Sequence, residues 1–200
     1  MLVYRIDRKK YLKDTLKGIG ASMSSSFRWN SEHTRMVYTS ESRALALLEI
    51  TAHLNGVMEI PTDRYLVEIE IPDSLKIQTL SIAELPKNWK MHPPMNSTQK
   101  IGDSFVQMLK APVLKVPSSI VPQEFNLLIN PNHPDAKKIK IISKVLGLLP
   151  ILISKVSLPD EATDLELYSL NTSRWKIKFE DLTNHYIYDI IRIGDMRFEV

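Results

Sequence analysis

No cysteine occurs among the 200 residues. Disulfides, thiolate nucleophiles and zinc sites built on sulfur are thereby excluded, and the composition suits a reducing compartment such as the cytoplasm. Long apolar runs are missing as well. The longest, Val145 to Ile153, has nine residues and contains Pro150, far short of the ~20 that a membrane helix needs. The opening MLVYRIDRKKYLKD is charged by its fifth residue and holds no apolar stretch, so it does not read as a secretory signal. Neither a G-x-S-x-G elbow nor a P-loop or Rossmann glycine motif is present, which disfavours a serine hydrolase and the common nucleotide folds. The five histidines show no metal-ligand spacing, so no metal is expected.

What is present is globular in kind: 44% hydrophobic and 24% charged residues, enough apolar side chain for a core. The charge is uneven. Residues 1–145 carry 20 Lys+Arg and 14 Asp+Glu, a net of +6, and residues 146–200 carry 6 and 9, a net of −3. A basic body attracts anionic ligands, but Arg8-Lys9-Lys10 is too short for a nucleic-acid arm, so no direct nucleic-acid partner is expected. The chain divides into a body, 1–145, and a β-rich extension, 146–200, packed on it.

Periodicity places the elements. Strands are expected at Leu2 to Ile6, Arg35 to Thr39, Tyr65 to Ile71, Val113 to Val116, Phe125 to Ile129 and Lys138 to Ser143. A short helix is expected from Lys9 to Lys17, another from a Thr39 or Ser40 cap to about Leu54, and a third from Ile101 to Leu109. Ser22 to Ser26 reads as a flexible polar loop, and Leu85 to Thr98 as a long ordered one. In the extension, Trp175-Ile177-Phe179 alternates with charged residues, and Gly194-Asp195 signals a hairpin.

The helix ALALLEITAHL, residues 44–54, is apolar almost all round and holds one charged residue, Glu49. A buried carboxylate either finds partners or stays protonated; a rim position facing solvent is the commoner explanation. Its surroundings favour a site. Arg28 stands 21 residues earlier beside Trp29 and Asn30, and an arginine fork suits a phosphate as well as a surface carboxylate. Tyr38 ends the strand that feeds the helix and can serve as core filler or as a ring face for a base. Ser118 follows a strand and a proline, either as a turn residue or as a pocket hydroxyl.

Further text joins these residues: Tyr4-Arg5-Ile6, Arg28-Trp29-Asn30-Ser31, Tyr38-Thr39-Ser40, Ala44 to Glu49, Val116-Pro117-Ser118, Asn126 to Pro131 and His133-Pro134. In this order the segments resemble the RES family, toxins of bacterial toxin–antitoxin pairs named for an arginine, a glutamate and a serine. The resemblance spans roughly residues 2–143. There are departures. Ser26-Phe27 stand where the family usually has Gly-Gly, Glu32-His33 replace a usual glycine, and the family's F-x-F-D-P-R-like ending is absent.

The resemblance implies an α/β (α+β) fold like that of the ADP-ribosyltransferase toxins, with a split, curved sheet around an NAD cleft. It implies an enzyme that breaks the nicotinamide–ribose bond, with NAD as substrate, water or inorganic phosphate as acceptor, and no bound cofactor. Arg28, Tyr38 and Glu49 are then the catalytic residues, and Arg28, Tyr38, Ser118 and Asn126 bind substrate. An Xre-type antitoxin is the implied protein partner, no membrane is involved, and a homodimer is compatible. Two alternatives remain open: ADP-ribosyl transfer to a macromolecule, and an inactive binding module.

Overall fold

The computed structural model describes residues 1–52 and 63–146. Its elements are β1 (Leu2–Arg8), α1 (Ile19–Ser22), β2 (Val37–Ser40), α2 (Arg43–Thr51), β3 (Arg64–Glu70), β4 (Ile77–Thr79), α3 (Asn96–Met108), β5 (Val113–Pro117), β6 (Phe125–Ile129) and β7 (Lys140–Leu146), with 3-10 turns between them. The seven strands form one sheet in the order β4-β5-β6-β2-β1-β3-β7. Only β4 and β5 run parallel; the other neighbours are antiparallel. This is the mixed α+β architecture expected from the resemblance.

The sheet is two half-sheets joined by one stitch. In one half β2 pairs with β6 from Val37↔Ile129 to Ser40↔Asn126, and β6 pairs with β5. In the other, β1 pairs with β3 over seven residues from Leu2↔Glu70 to Arg8↔Arg64. Between β1 and β2 only Tyr4↔Ser40 is in register. Beyond that point a side chain replaces the ladder: Arg5 donates from Nη1 to the Tyr38 carbonyl at 2.9 Å and from Nε to Asp7 Oδ1 at 2.8 Å. Asp7, 5% exposed, also takes the Thr15 hydroxyl at 2.7 Å. A buried polar group needs partners, and this chain of them holds the two halves apart at one end.

Alternation along the strands divides the core between two faces. Leu114, Val116 and Leu128 meet Trp29, Met36, Trp89, Phe105 and Val106 on the face covered by α3. Val113, Leu127 and Ile129 join Val3, Val37, Val67, Ile69 and Ile71 on the other.

Several expectations need correction. Lys9 to Lys17 is not one helix but two 3-10 turns, Lys9–Tyr11 and Thr15–Lys17, because the Thr15 side chain is tied back to Asp7 and Gly18 turns left-handed at φ 64°. The second helix begins at Arg43, capped by Ser42, whose Oγ takes the Leu45 N–H at 3.0 Å; Thr39 and Ser40 stay in the β2 ladder. It is buried only at Ala44, Leu45 and Ala46, and Leu47 to Ile50 are half-buried, so it is not enclosed on most sides. The helix expected at Ile101 starts at Asn96. Its first turn is polar, and Thr98 and Gln99 are buried by hydrogen bonds that no apolar period announces. Gln99 Nε2 donates to the Ser25 and Phe27 carbonyls at 2.8 and 3.0 Å, so the serine segment is tethered. The last strand begins at Lys140, after a 3-10 turn over Pro134–Lys138, and the short edge strand β4 was not foreseen. His53, Leu54, Gly56 and the extension with Trp175, Phe179 and Gly194-Asp195 lie outside the described residues.

Candidate active site

Residues on one sheet face converge at the open end of the α3-covered core. Tyr38 and Ser40 are two apart on β2, and Ser40 lies opposite Asn126 on β6. Val116 on β5 is the other neighbour of Asn126, and Ser118 follows two residues later. The even spacing puts Tyr38, Ser40, Asn126, Val116 and Ser118 on a common face. Helix α2 brings Glu49 to the same place.

Glu49 is the hub. Its Oε1 accepts a hydrogen bond from Ser118 Oγ at 2.8 Å and one from Asn126 Nδ2 at 2.6 Å. The direction of the first is forced. Ser118 is fully buried, and its Oγ already accepts the N–H groups of Ile120 and Val121, both at 3.1 Å. Both lone pairs are used, so its one proton points to the carboxylate. Among the described residues nothing hydrogen-bonds to Oε2, and the residue is half-buried, so one carboxylate oxygen is fixed and the other has no hydrogen-bond partner among them. The expectation of a carboxylate with partners thus describes Glu49 better than that of a bare solvent-facing rim.

Arg28 and Tyr38 form a second group. The Tyr38 hydroxyl donates to Asn30 Oδ1 at 2.7 Å and accepts the Trp29 N–H at 3.1 Å. Asn30, fully buried, sends its amide protons to the carbonyls of Ala21, Ser31 and Thr34 at 2.9, 2.9 and 3.2 Å. Ser31 donates from its backbone N to Asp103 Oδ1 at 3.0 Å and from its hydroxyl to Oδ2. Residues 27–31 are thus pinned to β2 on one side and α3 on the other. The Tyr38 ring packs on Phe27, centroids 5.0 Å apart. Burial pushes the Tyr38 phenol well above its ordinary range, so it stays neutral as donor and acceptor.

The Arg28 guanidinium does not stand free. Nη1 donates to the carbonyls of Trp89 and, at 3.0 Å, Met91; Nη2 donates to Lys90 at 3.3 Å. The fork clasps the proline-rich loop, whose Trp89 is buried against Trp29 with ring centroids 6.3 Å apart. Burial pulls the Arg28 value below normal, opposed by the charge of Glu49. The two groups feel each other across the site, yet no ion pair joins them among the described residues.

The structure therefore brings Glu49, Ser118 and Asn126 into direct contact and sets Arg28 and Tyr38 in an adjoining network. Sequence reasoning missed Ser40, which hydrogen-bonds Asn126, and gave no role to Asn30 or Asp103, which hold the Arg28 segment. Only the RWNS and YTS segments and the match at Ile101-Gly102-Asp103 hinted at them. No group of three or more His, Asp and Glu side chains suited to a metal occurs among the described residues. No helix among them is long and apolar enough to cross a membrane.

The RES domain family model matches residues 2–150. A protein of Sphingobium sp. (strain YBL2) named Prs ADP-ribosylating toxin is 43% identical over 136 residues, covering 67% of this chain and 83% of the relative. Toxin Res of Photorhabdus laumondii is 36% identical over 138 residues, 69% of this chain and 86% of the relative. Among solved structures, the crystal structure of the M. tuberculosis MbcT–MbcA toxin–antitoxin complex superposes with a TM-score of 0.60 at 17% identity. The match covers 77% of this chain and 87% of that one, a likeness of fold.

Proposed function

This chain belongs to the RES-domain family, and from that premise we propose that it is a toxin that depletes NAD by cleaving the nicotinamide–ribose bond. The observation that carries the reading is the Glu49 carboxylate, with Oε1 fastened by Ser118 and Asn126 and no hydrogen bond to Oε2 among the described residues. Breaking an N-glycosidic bond builds positive charge on the ribose. A fixed carboxylate placed beforehand where that charge develops stabilises the transition state without reorganising. Nicotinamide departs as a neutral ring from a pyridinium, taking the bonding pair, so no general acid is required. Water then attacks the ribose carbon and gives ADP-ribose and a proton; phosphate in its place gives the ribosyl phosphate.

The other residues take supporting roles. Arg28 supplies the cation for the diphosphate, which requires its fork to exchange the carbonyls of residues 89–91 for phosphate oxygens. Tyr38 and Phe27 form an aromatic wall for the nicotinamide or its ribose. Ser118 and Asn126 orient Glu49. Toxicity of this kind requires a restraining partner in the same compartment, an antitoxin met in the cytoplasm, as in the MbcT–MbcA complex. A second reading, ADP-ribosyl transfer to a macromolecule, uses the same residues and draws on the name of the Sphingobium relative.

Purified protein incubated with NAD and no protein acceptor separates the readings. Nicotinamide should appear, with ADP-ribose, or its phosphate ester when phosphate is present. Glu49→Gln should fold normally, since Gln Oε1 still accepts from Ser118 and Asn126. Its release rate should fall by about 10³-fold, because a unit charge ~4 Å from a developing cation in partly buried surroundings is worth about 4 kcal/mol. Equal release by folded variant and wild type refutes the role of Glu49, and release only with an added protein acceptor favours the transferase.

A further inference from the structure

Ser40 sits at the one register pair that joins the half-sheets, opposite Tyr4 on β1 and Asn126 on β6. It is 4% exposed. Its hydroxyl donates to Asn126 Oδ1 at 2.8 Å, while Asn126 Nδ2 donates to Glu49 Oε1 at 2.6 Å. An amide has two unlike ends, and only one orientation suits an ionised carboxylate. The reverse would set Oδ1 against Oε1, two acceptors with no proton between them. Glu49, which only accepts, sets the polarity of the Asn126 amide, and the Ser40 hydroxyl then holds the opposite end by donating to Oδ1.

We propose that Ser40 is a positioning residue for the NAD-cleaving reaction: it anchors the Asn126 amide at Oδ1 and, through it, the placement of the Glu49 carboxylate. The inference rests on the reading of Glu49 given above. It extends the site across the seam of the sheet, since the hydrogen-bonded row runs Ser40–Asn126–Glu49–Ser118 and ends on a Ser118 hydroxyl whose direction is already forced. Both ends of the row are serines that can each donate one proton inward. The carboxylate thus receives a donor from each side, and it is aimed by two strands and a loop instead of by α2 alone.

Two consequences distinguish this role from ordinary packing. Ser40 touches no substrate, so its loss should act on the step in which charge develops and leave binding alone. Its effect must also pass through Asn126, where it is visible in the side-chain amide resonances. The test uses the full chain as wild type, Ser40→Ala, Ser40→Thr and Asn126→Ala. Nicotinamide release gives kcat and KM, and 15N–1H spectra follow the Asn126 side-chain amide and its hydrogen exchange.

In Ser40→Ala, kcat should drop about tenfold with KM within about twofold, the scale of one lost hydrogen bond. The Asn126 amide protons should lose their displaced shift and their protection. Ser40→Thr, which keeps the hydroxyl, should restore both. Asn126→Ala combined with Ser40→Ala should be no slower than Asn126→Ala alone. An unchanged amide signature in Ser40→Ala, or a rise in KM with kcat intact, overturns the proposal. If wild type releases no nicotinamide, the NAD reading fails by itself, and the amide spectra still decide whether Ser40 anchors Asn126.

Discussion

Replacing Gly102 by alanine would drive a methyl group into the segment that carries Arg28. A Cβ at this position in α3 lands 1.7 Å from the Trp29 carbonyl oxygen, 2.7 Å from its carbon and 3.1 Å from the Met36 terminal methyl. Nonbonded heavy atoms settle near ~3.5 Å, so relief requires a displacement of roughly 1.5 to 2 Å. What must move is backbone, pinned by Tyr38 through the Trp29 N–H and by Asp103 through Ser31. Forced overpacking costs about 1–3 kcal/mol, and losing the Tyr38–Trp29 hydrogen bond adds about 1 kcal/mol. Alanine returns about 1 kcal/mol of helix propensity. The net expectation is destabilisation by ~1–3 kcal/mol, a melting temperature lower by roughly 4–12 °C for a domain of this size.

The sign makes the experiment decisive, because propensity alone predicts stabilisation. Gly20 in α1 is the control: a Cβ there meets nothing within 4 Å, so Gly20→Ala should be neutral or stabilising by up to ~1 kcal/mol. Thermal melts of both variants beside wild type give the comparison. Nicotinamide release by Gly102→Ala should also fall, by about 10²-fold for an ångström-scale misplacement of Arg28. A Gly102→Ala protein that melts at or above wild type would refute the close approach of α3 to the Arg28 segment.

Arg28→Lys should raise the KM for NAD about tenfold, since an ammonium cannot reproduce a planar fork. It should also speed tryptic cleavage after Lys90, whose carbonyl the guanidinium holds; unchanged KM and unchanged cleavage would count against both roles. Tyr38→Phe bears on alkaline stability. Burial raises the Tyr38 phenol in the folded protein, so its contribution is complete below the unfolded value near ~10 and is lost as pH rises above it. Wild type should therefore lose stability above about pH 10 more steeply than Tyr38→Phe, and denaturant titrations giving parallel slopes would exclude the effect.

Local pattern was enough for most of the described strands, the short edge strand β4 excepted. Tyr65 to Ile71 alternates, and Val67, Ile69 and Ile71 are fully buried; Phe125 to Ile129 forms with the expected ends. Side-chain period and β-branching act between near neighbours, so they are legible one segment at a time. The ordered segments from RWNS to Asn126–Pro131 named the family, and with it Arg28, Tyr38, Glu49, Ser118 and Asn126. Where polar side chains replaced apolar period, legibility ended. The first turn of α3 is buried by Gln99 reaching the carbonyls of Ser25 and Phe27, and Thr15 breaks a helix-like run by bonding Asp7.

Tertiary structure alone decided the partners. Ser118 and Asn126 reach Glu49 from 69 and 77 residues away, because β5 and β6 pair in the register Val116↔Asn126 and β6 and β2 in the register Ser40↔Asn126. A shift of one residue in either ladder would turn those side chains to the opposite face. Registers are set by the packing of both sheet faces together, and no short window of residues holds that information. The same holds for Arg28, whose donors are spent on carbonyls 61 to 63 residues along the chain. Residue types announced a carboxylate and an arginine; only the folded sheet determined that one oxygen of Glu49 is held by Ser118 and Asn126.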